Sequence, residues 1–159
     1  MILSFSVPAM MPMIQYGVKQ SAGEDVGGAR VKRQTIRARG TRSEALLAHD
    51  PIGGTIPYDL HLWWKSRTVE RCLLGVVPCA RVHVQPIEIL HSEVIEPGGA
   101  REPIFRIERG AMIFWRPNSR DGQAFETEAY LDGFDSARDF IRFFVPNVGD
   151  VFRGILFRW

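Results

Sequence analysis

The sequence predicts an α+β fold, a small and mostly antiparallel β-barrel with short helices covering its ends. Residues 58–90 are dense in β-branched, aromatic and aliphatic side chains broken by short turns, which is typical of successive strands. The final third of the chain has helical spacing and helix-capping residues instead. A run of strands followed by helices favours a closed antiparallel sheet with helices packed at its ends.

The first third of the chain contains a strand, a helix and a second strand. Residues 2–7 alternate well enough for a first strand rather than a signal peptide, and residues 9–16 predict a short helix that ends at Gly17. The segment 23–29 is rich in glycine and acid and predicts a loop, after which residues 32–37 form a strand. Residues 41–49 predict a surface helix with a serine or threonine cap.

The remaining elements follow from turn signals and helix caps. Strands are expected at 60–64, 68–77, 80–90, 104–108, 111–116 and 151–159, with a turn at 96–99 and a hairpin across Arg109 and Gly110. Residues 124–131 predict a helix that stops at Gly133, and Asp135 or Ser136 caps another. In that last helix Phe140, Phe143 and Phe144 share one face, which we expect to pack on the sheet.

Composition is that of one soluble domain. The 159 residues, 45% hydrophobic and 24% charged, predict a single domain over 1–159 with a glycine-rich insertion at about 19–31. No apolar run is long enough for a membrane span, so we expect no membrane partner and a cytoplasmic location. A formal charge of +2 does not by itself indicate nucleic-acid binding.

Neither cysteine nor histidine is spaced as in a metal site. Cys72 and Cys79 flank an apolar run, so both are expected to be core thiols. The histidines are scattered singly along the chain. The sequence therefore implies no metal and no cofactor.

The run from Lys32 to Arg37 has the chemistry of an activated nucleophile. Thr35 is a weak nucleophile unless a base takes its proton, and Lys32 can do so only when burial or a nearby cation keeps its amine neutral. Arg37 supplies such a cation. Alternation places Thr35 and Arg37 on one face of the strand, so Lys32 must lie on the turn that enters it. The alternative is a basic edge strand whose cations discourage edge pairing.

These segments together resemble the ASCH domain family, whose members have a PUA-like β-barrel. The resemblance covers almost the whole chain and is carried by the opening strand, the Lys32 to Arg37 run, residues 60–64 with Arg67 and Thr68 after them, residues 132–134, and the closing strand from 152 to 159. It implies an amidohydrolase that acts on an acylated nucleoside or nucleotide base such as N(4)-acetylcytidine.

The resemblance also implies a catalytic set of a lysine, a threonine and an acid. Lys32 and Thr35 take the first two places, with Lys19 as a rival lysine because it lies nearer to Gly17. The acid is Asp132 or, one helical turn earlier, Glu128. Family members have a glutamate there, so an aspartate at 132 is one methylene shorter.

Substrate-binding candidates and two alternative functions complete the expectations. Arg37, Tyr58, Trp63, Trp64 and Arg67 are expected to contact a modified nucleoside or RNA, although strand alternation lets only one of the two tryptophans line a pocket. One alternative is a non-catalytic RNA or nucleotide binding module that holds a backbone with a set of arginines, namely Arg30, Arg33, Arg37, Arg39 and Arg42. Another is a protein-interaction or regulatory protein of a mobile element. The oligomeric state stays open.

Overall fold

The structure, a computed structural model, describes residues 2–40, 54–95, 97–99, 101–109, 111–115 and 123–159. Its helices are α1 (Met10–Ser21), α2 (Gln123–Leu131) and α3 (Ala137–Phe144). Its strands are β1 (Ile2–Phe5), β2 (Gln34–Ala38), β3 (Gly54–Thr55), β4 (Leu60–Trp64), β5 (Cys72–Val77), β6 (His83–Ile95), β7 (Arg101–Arg109), β8 (Ala111–Trp115) and β9 (Val151–Arg158).

The strands form two sheets, and the α+β class is confirmed. A three-stranded sheet has the order β1-β4-β5, with β1 parallel to β4. A six-stranded antiparallel sheet has the order β2-β9-β6-β7-β8, with β3 on β6. Within the described ranges no strand pairing joins the two sheets. Closure into a barrel therefore stays a prediction.

Strand β9 lies between two hydrophobic clusters and contributes to both. Ile155, Phe157 and Trp159 pack with the inner face of the three-stranded sheet, including Leu3 and Leu62. Side chains on the opposite face of the six-stranded sheet, Leu156 of β9 among them, pack against helices α2 and α3. Because side chains alternate along β9, one face of the strand packs toward the helices and the other toward the three-stranded sheet. The fold therefore has three layers, namely the helices, the six-stranded sheet and the three-stranded sheet.

Several predicted turns and caps are confirmed. Strands β7 and β8 pair as the expected hairpin. Ser136 is the N-cap of α3, and its hydroxyl accepts a hydrogen bond from the Asp139 N–H at 3.1 Å. Gly133 follows α2 with φ 91°, a left-handed conformation that glycine adopts without strain.

Other local predictions are wrong. Helix α1 continues through Gly17 to Ser21 and does not end at Gly17 as predicted. Cys72 is exposed because β5 presents one face to solvent, and Cys79, in a short 3-10 helix after β5, is half-buried. Phe143 is 70% exposed, whereas Phe140 is buried against Phe125.

Two further findings bear on these expectations. The predicted surface helix at 41–49 lies outside the described residues. In the part of the chain that is described, no helix has the length and apolar character needed to cross a bilayer.

Candidate functional site

Lys32 lies on the turn that enters β2, as predicted, and its side chain is only 2% exposed. Its backbone N–H donates to the Met13 carbonyl at 2.8 Å, which fastens this turn to α1. A Cβ at Gly17 would collide with the carbonyl group of Lys32. Gly17 therefore does not end the helix. This position inside α1 requires a glycine because the chain before β2 packs directly on the helix here.

The Lys32 amine is in contact with Asp132 at the end of α2. Its Nζ donates to the carboxylate Oδ1 at 2.7 Å and also to the Asp132 backbone carbonyl. Gly133 allows this approach, since a Cβ there would lie 3.3 Å from the Lys32 Cδ. Both charged side chains are buried, which is uncommon for lysine and aspartate unless they are paired.

Burial moves the two pKa values toward each other. The pKa of the Lys32 amine is lowered, because loss of solvation outweighs the attraction of the Asp132 carboxylate, and the Arg37 charge adds to the lowering. The pKa of Asp132 is raised to about 6, because burial outweighs the opposing effects of Lys32, Arg37 and the Ile36 N–H. Desolvation is the largest cause for each group.

The C-terminal end of α2 also lies against one edge of β2. Within the described chain β2 pairs only with β9, so its other edge is open to α2. The backbone N–H of Ile36 is near enough to the Asp132 carboxylate to lower its pKa, and the N–H of Arg33 donates to the Leu131 carbonyl at 3.2 Å. The C-terminal end of α2 thereby protects the strand edge from further pairing.

Thr35 and Arg37 share a face of β2, as alternation predicts. They lie opposite Phe157 and Ile155 of β9, both of which belong to the cluster beneath the three-stranded sheet. The Thr35 side chain is buried. Gln34 points the other way, toward α2.

Arg37 is held on the three-stranded sheet and is half-buried. Its guanidinium donates to the Ser4 carbonyl at 2.8 Å and lies 5.1 Å from the centre of the Phe5 ring. Burial lowers the pKa of Arg37 and the Asp132 charge raises it, but an arginine remains protonated at neutral pH. Among the candidate residues Arg37 alone both lines the cleft described next and acts on the charges of Lys32 and Asp132.

A surface cleft of about 660 Å³ opens beside Arg37. Its lining consists of one leucine, four hydroxyl residues and three cations: Leu3, Ser4, Ser6, Arg37, Lys65, Ser66, Arg67 and Thr68. The predicted substrate residue Arg67 is therefore in the cleft. Lys32, Thr35 and Asp132 are not part of its lining.

Glu128 belongs to a separate cluster on the other face of β2. Its carboxylate accepts hydrogen bonds from Arg158 at 3.0 Å and from the Gln34 amide at 3.2 Å. Arg158 also donates to the Gln34 side-chain oxygen at 2.7 Å. Of the two candidate acids, the structure thus places Asp132, and not Glu128, against Lys32.

The predicted aromatic residues do not form one wall. Tyr58 is 61% exposed, Trp64 is buried, and Trp63 is half-buried on the opposite face of β4. The Lys65 amine lies 5.6 Å from the centre of the Trp64 ring. The Trp63 indole N–H is buried and has no hydrogen-bond partner in the described structure.

Lys19 and several of the arginines that were expected to hold a nucleic-acid backbone are exposed or make contacts of their own. Lys19 is exposed in the last turn of α1. Arg30 pairs with Asp135, and Arg33 donates to the Trp159 carbonyl at 2.9 Å. Arg39 is exposed and Arg42 lies outside the described residues.

Sequence reasoning missed most of the cleft. Ser4, Ser6, Lys65 and Ser66 had no motif around them, although the alternation of β1 does place Ser4 on the outer face. The Gln34 contact with Arg158 joins residues 124 positions apart, and no local pattern indicates such a pair.

No cluster of three or more histidine, cysteine or acidic residues suited to a metal occurs among the residues that the structure describes. Comparison of the chain with known protein families, with curated proteins and with solved structures yields no match.

Proposed function

We propose that this chain is an amidohydrolase-like protein that removes an acyl group from the amine of a nucleoside or nucleotide base, such as N(4)-acetylcytidine. The observation that carries the proposal is the buried contact of Lys32 Nζ with the Asp132 carboxylate at 2.7 Å. Titratable pairs whose surroundings shift their pKa values in opposite directions are frequent where proton transfer occurs. The substrate class, and the closure of the sheets into a PUA-like barrel, rest on the resemblance to the ASCH domain family.

The lowered pKa of Lys32 and the raised pKa of Asp132 suit a base and an acid. In the first half-reaction the Thr35 hydroxyl attacks the acyl carbon while its proton moves to neutral Lys32. The carbon–nitrogen bond breaks, and the proton on the Lys32 ammonium passes through the Asp132 carboxylate to the departing amine. Thr35 is left as an ester of the acyl group.

Water completes the reaction. It attacks the Thr35 ester with Lys32 again taking a proton, and the carboxylic acid leaves as the threonine hydroxyl is restored. Arg37 supports both steps, because its charge lowers the pKa of Lys32 and its N–H groups suit a developing oxyanion.

Access to the pair is proposed to involve movement of Arg37. This side chain lines the cleft, whereas the three reacting groups line none of it. In the proposed reaction the acyl group reaches Thr35 when Arg37 releases the Ser4 carbonyl. A single hydrogen bond and one cation–π contact are a modest barrier to such a motion.

The test is release of cytidine and acetate from N(4)-acetylcytidine by the purified protein. Thr35→Ala and Lys32→Met are each expected to lower turnover by roughly 100-fold or more. The matched controls are Thr127→Ala, at an exposed threonine of α2, and Lys19→Met, at the exposed lysine of α1; both should keep parental turnover. Melting temperatures identify any variant that has simply unfolded.

Absence of turnover in the parent, or unchanged turnover in folded Thr35→Ala, would contradict the proposal. If the parent shows no turnover, we propose a second function instead, namely a nucleotide or RNA binding module without catalysis. The lining of the cleft by Arg37, Lys65 and Arg67 favours that function specifically. Phosphate-led binding should weaken steeply as salt rises, whereas turnover of an uncharged nucleoside should hardly respond.

A further inference from the structure

We propose that the turn Lys65, Ser66, Arg67 and Thr68 binds the phosphate monoester of a mononucleotide. The inference deepens the proposed function and rests on it only for the nucleoside part of the ligand. All four residues line the 660 Å³ cleft, and they supply two cations and the Ser66 hydroxyl, while the Thr68 hydroxyl donates to the Lys65 carbonyl. Arginine, lysine and hydroxyl side chains are the groups that bind phosphate oxygens in proteins.

The charge of the cleft is one-sided. Three of its lining side chains are cationic and none is acidic. Lysine occurs only at positions 19, 32 and 65 of the chain, and one of the three is here. A dianionic phosphate therefore meets three cations, one of which, Lys65, also pairs with the exposed carboxylate of Glu70.

The turn is fixed in shape before any ligand binds. The Lys65 N–H donates to the Phe5 carbonyl at 2.9 Å, and the Ser66 N–H donates to the Ser4 hydroxyl at 3.0 Å. The Thr68 N–H and hydroxyl both donate to the Lys65 carbonyl, at 3.0 and 3.1 Å. These contacts tie the turn to β1, so little ordering entropy remains to oppose binding.

Lys65 has an unusual backbone. Its φ of 42° makes it the one non-glycine residue with positive φ among those described. Such a conformation is uncommon for a long side chain and is found mainly where function or packing requires it. Its amine pairs with exposed Glu70, and an exposed pair of this kind is weak enough for a phosphate to replace it.

A small ligand fits the cleft better than an RNA strand does. Its volume lies within the range of small-molecule sites. Arg30 and Arg33, which would be needed to extend a cationic track for a backbone, are not among the residues that line the cleft.

Calorimetric titrations of the full chain with cytidine 5′-monophosphate and with cytidine test the inference. We expect the monophosphate to bind about tenfold more tightly or better, and inorganic phosphate to compete with it. Arg67→Ala and Lys65→Gly should each remove about tenfold of the monophosphate affinity and leave cytidine binding unchanged. Glycine at 65 keeps the positive φ, and Arg142→Ala on α3 is the matched control that should change nothing.

Equal binding of the monophosphate and cytidine, or full monophosphate affinity in folded Arg67→Ala, would overturn the inference. Tighter binding of a short cytidine oligonucleotide without terminal phosphates would also overturn it, since the turn would then hold an RNA backbone. Deacylation of N(4)-acetylcytidine involves no phosphate. A failure of this inference and a failure of the proposed function are therefore distinguishable.

Discussion

Two buried carboxylates one helical turn apart on α2 have different surroundings. Glu128 faces Arg158 and the Gln34 amide, and the arginine side chain is 31% exposed. Asp132 faces the amine of Lys32, whose side chain is 2% exposed. Both carboxylates connect the α2 region to residues in or just before β2. Only in the Lys32–Asp132 pair are both side chains buried.

The comparison shows how burial of the cation decides what a carboxylate can do. Arginine stays protonated and binds with several N–H groups, so the Glu128 cluster is suited to holding the fold. A buried lysine can lose its proton, and the pKa values of Lys32 and Asp132 move toward each other. The contact at Asp132 is thus the one suited to proton transfer.

Asp132→Ala should give the largest effect on stability. It leaves the Lys32 amine buried without its carboxylate, for an expected loss of about 3–5 kcal/mol in the free energy of unfolding. Lys32→Met combined with Asp132→Asn should recover most of this loss without any turnover. Urea unfolding measures both, and equal losses in the single and double variants would contradict a buried ion pair.

The pH dependence of stability should reveal the raised pKa of Asp132. A folded-state pKa of about 6 against 3.8 means that the folded state holds the Asp132 proton more tightly, so its stability falls as pH rises from about 4 to about 6. Relative to Asp132→Asn, the parent should lose up to about 3 kcal/mol over that window. Unfolding curves at several pH values test this, and a relative gain in stability would show the opposite shift.

Glu128→Gln should have a smaller effect. The amide still accepts from Arg158 and Gln34, and half-exposed Arg158 regains water, so we expect a loss of about 1–2 kcal/mol. Deacylation should persist. A loss of turnover as large as that of Asp132→Asn, in folded protein, would make Glu128 the catalytic acid instead.

Lys19→Met should give the smallest effect. The residue is exposed at the end of α1, and surface substitutions of this kind change stability by less than about 0.5 kcal/mol. Melting temperature and turnover should both match the parent. A clear loss of turnover would indicate that Lys19, and not Lys32, is the base.

Local signals predicted much of the fold. The Ser136 cap, the Gly133 helix end and the β7-β8 hairpin each depend on a few neighbouring residues, and all are confirmed. Gly17 misled the prediction because its role is long-range: it makes room for the backbone of Lys32. Exposure of Cys72 was unpredictable for a similar reason, since only the packing of β5 decides which of its faces is covered.

The site was predictable in part. Strand alternation correctly placed Arg37 with Thr35 on one face of β2, and Lys32 lies before the strand, as predicted. The choice between Asp132 and Glu128 needed coordinates, because the two residues are one helical turn apart and only long-range packing decides which of them meets Lys32. The cleft was missed because residues of β1 and of the turn after β4 meet only when the two strands pair.

The most direct test of the account is the titration of the Asp132 side-chain carboxyl carbon, followed by NMR in labelled protein. We expect a pKa of about 6 in the parent and a still higher value in Lys32→Met, because the lysine charge lowers the pKa of the aspartate. An Asp132 that titrates near or below its ordinary value of 3.8, with no upward change in Lys32→Met, would contradict a pair poised for proton transfer.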